Sequence, residues 1–503
     1  MAVSHQWFVQ WSAPPVLFAD ITSQYNDVNQ RWKNDGQKWI SAQKLEKETY
    51  NYFNVSQGQL SHNPLTIHTK LDLHNFPDHT GAAGVTLWLT MLGVMRAQSM
   101  PADTDTPPFN TLYKWKHVDF EFPSPRHRRH AISTGMFVPA NVLPLGLEVW
   151  GSRVWVTVPA WRRGVPATLA TVSRQGGITS PPLKPYPNWS FHRNCTGLTS
   201  VFRVQVDPCG RLWVLDSGQI DSQDNPKQLC PPSIVVFDLQ TDKVIARYTI
   251  PKRYVLEDSL FANLIIDTRV SDCSDLHVYI ADTWRFGLLV FRQSDVKFWR
   301  FTNPLFFPDP LASNFTLHGL NFQWTDGIFG LALTPVEPDE DRILFFHPMS
   351  SYREFYVSTA VLQEPSRIDN SSMEFNIVGE SRGLTGQSSA SAIDRRGVMF
   401  YGLVTRDSVG CWDTRKLYKK KTNGIVASNS ETLVFPNDIK IDQEERQSVW
   451  VISNRLPMFQ AGPLDMDDYN YRILYAGTTE AVRGTVCDPS SDLPNILCLP
   501  RYD

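Results

Sequence analysis

Six times along the chain, an apolar strand-like segment is followed by a polar turn and a second segment rich in aromatic and β-branched residues. The copies are LGLEVWGSRVWVTVP from Leu145, FRVQVDPCGRLWVLDSG from Phe202, NLIIDTRVSDCSDLHVYIAD from Asn263, FGLALTPVEPDEDRILFFHP from Phe329, ASAIDRRGVMFYGLV from Ala390 and DIKIDQEERQSVWVISN from Asp438. Aligned on Trp155, Trp213, Tyr279, Phe345, Phe400 and Trp450, they lie 58, 66, 66, 55 and 50 residues apart, room for four strands and their loops. Further strand candidates follow, such as SIVVFDLQ from Ser233 and GLLVFRQ from Gly287. A two-stranded unit cannot bury both faces alone, so units of this length stack around a common axis. The expected fold is all-β: a six-bladed β-propeller with four-stranded blades, closure of which also removes exposed sheet edges. The ends must then meet in one blade, and LYKWKHVDFEF from Leu112 and YRILYAG from Tyr471 supply strands for it. A pair of β-sandwiches is the alternative architecture.

The repeat sets the domain organisation of the 503 residues: a propeller over 112–503, an atypical extension over 1–80 that is disordered or not native, and a signal-peptide-like segment over 81–99. That segment centres on the uncharged run Gly81 to Met95, 15 residues long and followed by Ala97-Gln98-Ser99. It is short for a membrane span, for which about 20 apolar residues are needed, and fits the core and exit of a signal peptide. A buried element of an ordinary domain and a type II anchor are the other readings. Secretion, with no membrane attachment after signal removal, agrees with sequons at Asn188, Asn194, Asn314 and Asn370, and with a fifth at Asn54. The seven cysteines, Cys195, Cys209, Cys230, Cys273, Cys411, Cys487 and Cys498, form no C-x-x-C pair. In an oxidising compartment they permit up to three disulfides in a connectivity that spacing does not fix. A net charge of −3 gives no field for a polyanion, so nucleic acid is not an expected partner. The basic clusters Arg126 to His130 and Lys419 to Lys421 read as solvated loops.

In a propeller the first residues of the innermost strands ring one mouth of the central channel. Here they include Arg203, Asn263, Ala390, Asn437 and Asp438, with Asp326 entering the fourth blade and Phe261, Phe435 and Trp324 nearby. Aromatic walls, amides and one or two carboxylates suit a small aromatic amine through cation–π contact and charge-assisted hydrogen bonds. The candidate ligand-binding residues are therefore Asn263, Asn437, Phe435, Phe261 and Arg203, and the candidate catalytic carboxylates Asp438 and Asp326. The competing reading is that Asn and Asp serve turn geometry at strand entries. The chain contains no G-x-S-x-G, H-E-x-x-H or G-x-x-x-x-G-K-[ST] motif, and its 12 His show no ligand spacing, so neither metal nor cofactor is expected.

The segments CTGLTSVFRVQVDPCGRLWVLDSG from Cys195, SLFANLIIDTRVSDC from Ser259, YIADTWRFGLLVF from Tyr279, NFQWTDGIFGLALTP from Asn321 and FFHPMSSYREFYVST from Phe345 closely resemble the insect Yellow and major royal jelly protein family. The resemblance runs from about Leu112 to Arg455; at Ala160 this chain departs from the arginine common in the family. It implies a secreted, glycosylated propeller tied to melanin pigmentation, cuticle or biogenic-amine handling, with a catechol or indole ligand. Three other functions remain open at this point. They are a dopachrome-converting enzyme using Asp326 or Asp438 as base, a calcium-dependent propeller lactonase or esterase to which Pro436-Asn-Asp438 is similar, and a structural cuticle or eggshell protein.

Overall fold

The computed structural model describes residues 108–490 apart from 178, 223–224, 269–272 and 338–340. The expectations for 1–80, 81–99, Asn54 and Cys498 lie outside the described residues. Six four-stranded sheets are present, over residues 146–185, 201–249, 261–302, 328–378, 388–428 and 436–477, and the last takes its fourth strand from Asn110–Trp115. These are blades one to six. Their innermost strands are Gly146–Trp150, Val201–Val206, Phe261–Asp267, Ile328–Leu333, Ser388–Ile393 and Pro436–Ile441. Each lies against the next in a closed cycle, the sixth against the first. The fold is a six-bladed β-propeller. The segment from Asn110 closes it by antiparallel pairing with Tyr471–Gly477, Trp115 opposite Tyr471.

The aromatic residues that mark the repeat explain why the blades stack. Each sits in a separate apolar cluster filling the seam between its own blade and the following one. Trp155 packs with Val204 and Leu212, Trp213 with Leu264 and Ile280, and Tyr279 with Leu331 and Phe346. Phe345 packs with Met399, Phe400 with Ile439, and Trp450 with Leu147 and Val156. A large ring on the second strand reaches past the edge of its sheet and removes from water the apolar face that neither blade could bury alone.

Nearer the axis the seams are joined by polar contacts. Asp438 accepts from Leu147 N at 3.0 Å, Thr157 Oγ1 donates to Phe202 O at 2.8 Å, and Ile266 N donates to Gln205 Oε1 at 2.9 Å. Asn263 Nδ2 donates to Phe329 O at 2.8 Å, His347 Nε2 meets Ser389 O at 2.6 Å, and Ser389 Oγ donates to Pro436 O. All six seams are thus bridged by a side chain that satisfies a backbone group of its neighbour. Among the described residues three disulfides hold loops and the C-terminal segment to the blades. Cys209–Cys273 joins blades two and three, Cys411–Cys487 ties the C-terminal segment to blade five, and Cys195–Cys230 closes a loop around blade two.

An aspartate ends the innermost strand of four blades and folds back on the turn that follows. Asp207 accepts from Trp213 Nε1 at 2.7 Å, Asp442 from Trp450 Nε1 at 3.0 Å, and Asp267 from the Tyr279 hydroxyl at 2.9 Å. Blade one has Trp150-Gly151-Ser152 there instead, and the buried Trp155 Nε1 has no hydrogen-bond partner among the described residues. The basic run Arg126 to His130, expected as a loop, lies in a helix, Pro125–Ser133, because Ser124 caps it and Pro125 occupies its first position.

Two measurements follow from this framework. Replacing Trp213 or Trp450 by Phe is expected to cost about 1.5–3 kcal/mol more than Trp155→Phe in urea titrations, the worth of a hydrogen bond to a carboxylate. Equal costs at the three positions would contradict the carboxylate clamp. Removing both cysteines of the Cys411–Cys487 bridge is expected to lower stability by about 2–5 kcal/mol, read in the same way.

Candidate functional site

Arg203 lies wholly inside the protein on the propeller axis. It is the third residue of its inner strand, and a small change of register brings its side chain across the channel instead of into the blade. Its Nη2 donates to Asn437 Oδ1 at 2.7 Å and Asn437 O at 3.0 Å, and its Nη1 to Leu145 O at 3.1 Å. Its Nε is 3.3 Å from Asp438 Oδ1 without hydrogen-bond alignment. The other Asp438 contacts are Ile439 N on Oδ1 and Leu147 N on Oδ2, both 3.0 Å. Arg203, Asn437 and Asp438, singled out from the sequence, therefore do come together, as a buried polar belt linking blades one, two and six. Of the oxygens that the lactonase reading would use for calcium, Asn437 Oδ1 and one oxygen of Asp438 lie against the Arg203 guanidinium. Asp207, Cys209 and Cys273 also converge, but the two sulfurs are bonded to each other.

The belt divides the channel. On one side lies a cavity of about 130 Å³ bounded at its inner end by Asp438, Asn263 and Ala390. It extends past Val206, Ile266, Leu333 and Ile441, at or next to the ends of their inner strands, to Arg342 and Gln443. A cavity near 150 Å³ holds one benzene ring, so this one is on the scale of a single aromatic ring. Asn263 is buried there, its Oδ1 taken by Leu264 N. Two charged residues that the sequence reading passed over line it, Glu148 and Lys440. Glu148 Oε1 accepts from Val149 N at 2.9 Å and Oε2 from Val206 N at 3.1 Å. Burial pushes its carboxyl up to about 7, against the lowering effect of the Lys440 charge and those two amides, while Asp438 raises it further. The available signal was a lone carboxylate inside the otherwise apolar LGLEVW segment.

On the other side, where the inner strands begin, the surface is aromatic. Trp324 meets Phe435 edge to face at 5.7 Å and Phe322 at 4.8 Å, and a cleft of about 250 Å³ separates Phe322 and Trp324 from Pro457 and Gln460. Phe435 is fully buried with φ of 51°, a left-handed conformation just before its strand. Asp326 is part-buried at this face and accepts from Trp284 Nε1 at 3.1 Å. Burial raises its carboxyl to about 6, offset in part by that indole. The structure does not bring Phe261 into either group. Its ring lies in the seam core with Trp213 and Ile280, because the same early register change turns it from the channel. The anticipated single mouth is thus two sites, Asp326 with the aromatic residues on one face and Asn263 with Glu148 on the other.

The sequons at Asn188, Asn314 and Asn370 are exposed. Asn194 is half-buried, and its amide nitrogen donates to Ser190 O and His192 O, both at 3.1 Å. No helix among the described residues is long and apolar enough to cross a membrane.

The family model described as "Major royal jelly protein" matches residues 199–487. The chain is 43% identical over 395 residues to "Dopaminechrome tautomerase" of Drosophila melanogaster, covering 76% of this chain and 85% of that protein. It is 39% identical over 398 residues to "Protein yellow" of Drosophila subobscura, covering 77% and 69%. Among solved structures it is similar to virginiamycin B lyase of Staphylococcus aureus, at 11% identity over 67% of this chain and 95% of that one, with a TM-score of 0.36. The extent of the family match and the identity across most of these relatives place the chain plainly: it belongs to the Yellow and major royal jelly protein family.

Proposed function

We propose that this chain is a secreted protein of melanin-pathway chemistry that binds a small catechol or indole amine at the aromatic mouth of its channel. The observation that carries the reading is the Asp326 carboxyl, held by the Trp284 indole at 3.1 Å on the face where Trp324, Phe322 and Phe435 cluster. A carboxylate opposes the ammonium of such a ligand and the rings stack on its aromatic part. The three disulfides support an oxidising compartment.

A second reading, conversion of an aminochrome by tautomerisation, is favoured by the 43% identical relative named for that activity on dopaminechrome. It also has a group to act through, since a carboxyl titrating near 7 suits proton transfer at neutral pH.

Calorimetric titration with dopamine and serotonin tests the first reading. Binding is expected at pH 7.5 and is expected to weaken as the pH falls through about 6, where the Asp326 carboxylate becomes protonated. Asp326→Asn is expected to weaken it about 10-fold or more at pH 7.5, the loss of one charge-assisted contact. No heat up to millimolar ligand would overturn this reading. Asp438→Asn is a poor probe of chemistry, because removing one partner of a buried ion pair costs about 3–5 kcal/mol of stability. That loss is the expected result of its urea titration.

A further inference from the structure

We infer that the axial cavity on the far side of the Arg203 belt is a catalytic site for an aminochrome, in which Glu148 carries the proton and Lys440 faces the quinone oxygen. The inference rests on the tautomerase reading and assigns it a place and two residues. Four observations lead here. The cavity has both a carboxylate and an ammonium in its wall and extends past the ends of the inner strands. Among the described residues, Lys440 makes no ion pair within 4 Å, although its charge acts on Glu148, so its ammonium is free to meet a ligand. Glu148 is held by one backbone amide on each oxygen, which fixes its direction and leaves each oxygen a further lone pair. Asp438, the other carboxylate of the cavity, is committed to Arg203 and to two amides, and so is occupied as a structural anion.

The chemistry needs no group beyond these. In a dihydroindole quinone, the Glu148 carboxylate takes a proton from a saturated ring carbon. The C–H electron pair enters the ring system, and a carbonyl oxygen next to Lys440 becomes a phenolate. Glu148 gives up its proton toward that oxygen or to solvent, and the second saturated carbon loses a proton in the same way. Two C–H bonds break and two O–H bonds form, and the electrons stay in the molecule, so product and substrate are isomers. No oxidant or reductant is consumed. The Lys440 ammonium stabilises charge at the oxygen where it develops. The charged groups facing Glu148 are Lys440 and Asp438 from blade six, with Arg342 of blade four lining the same cavity and paired to Asp267 at 3.1 Å. Burial is the largest influence on the Glu148 carboxyl and sets it near neutrality, where a base is both available and effective.

The test follows the decay of dopaminechrome absorbance and the formation of the dihydroxyindole, between pH 5.5 and 8.5, for wild type, Glu148→Gln, Glu148→Asp and Lys440→Met. Melting curves first confirm that each variant is folded. The wild-type rate is expected to rise with pH through about 7 and then level, since the ionised carboxyl is the base. Glu148→Gln is expected to lower kcat about 100-fold or more and to abolish that rise, with Glu148→Asp restoring part of it. Lys440→Met is expected to lower kcat about 100-fold. Turnover by wild type that survives both Glu148→Gln and Lys440→Met overturns the assignment and leaves the tautomerase reading standing. Wild-type rates equal to those of boiled protein overturn both.

Discussion

A closed ring of six blades has one place where every blade must agree, its axis, and here the agreement centres on the Arg203 guanidinium. It is buried without access to water, a costly placement for a charge unless hydrogen bonds and an opposite charge surround it. Asn437, Leu145 and Asp438 supply them from blades six and one. The last blade, whose fourth strand comes from the opposite end of the sequence, is thereby held to the first two at the centre as well as at the rim. Apolar seams alone would favour stacking without fixing how the ring closes. Directional contacts at the axis, one across each seam, restrict the blades to one register.

The belt also makes the functional geography. A channel with an unblocked axis would offer one continuous binding surface. With Arg203 across it, aromatic residues and Asp326 lie on one side, and Glu148 and Lys440 on the other. Binding of an amine and proton transfer on a quinone then need not compete for the same groups.

Much of the architecture was legible because its cause is periodic. The aromatic residues that align the six copies are the ones that fill the six seams, so counting them counted the blades. The two strand-like ends pair as closure requires. Arg203 and Asp438 were found because they stand at equivalent positions in the repeat, each the third residue of its inner strand, with Asn437 next to Asp438. What was not legible depended on direction. Phe261 and Arg203 lie near the starts of their inner strands beside the same register change, yet one ring enters a seam and the other side chain crosses the axis. Glu148 was overlooked because a single charge inside an apolar strand has no periodic signature. Its meaning depends on the cavity behind it. Cysteine spacing likewise gave no pairing, since Cys209 and Cys273 meet only after two blades have stacked.

Glu148 shows how the two roles of the axis are connected. Its carboxyl is raised from 4.5 to about 7 by burial, so folding favours the neutral form. The corresponding stability is full below the unfolded value and is lost as the pH rises through about 7, an amount of about 3 kcal/mol for a shift of this size. The protein therefore carries a destabilising charge at the pH where that charge is useful as a base. Asp438 sits in the same channel in the opposite condition, its charge matched by Arg203 and by amides. An anion fixed for structure and an anion held at a disadvantage for chemistry need different partners: Asp438 has the Arg203 guanidinium beside it, and Glu148, in the same cavity wall, has two backbone amides. Stability taken from the seams and from the matched pair is what allows the unmatched carboxyl to persist in the cavity.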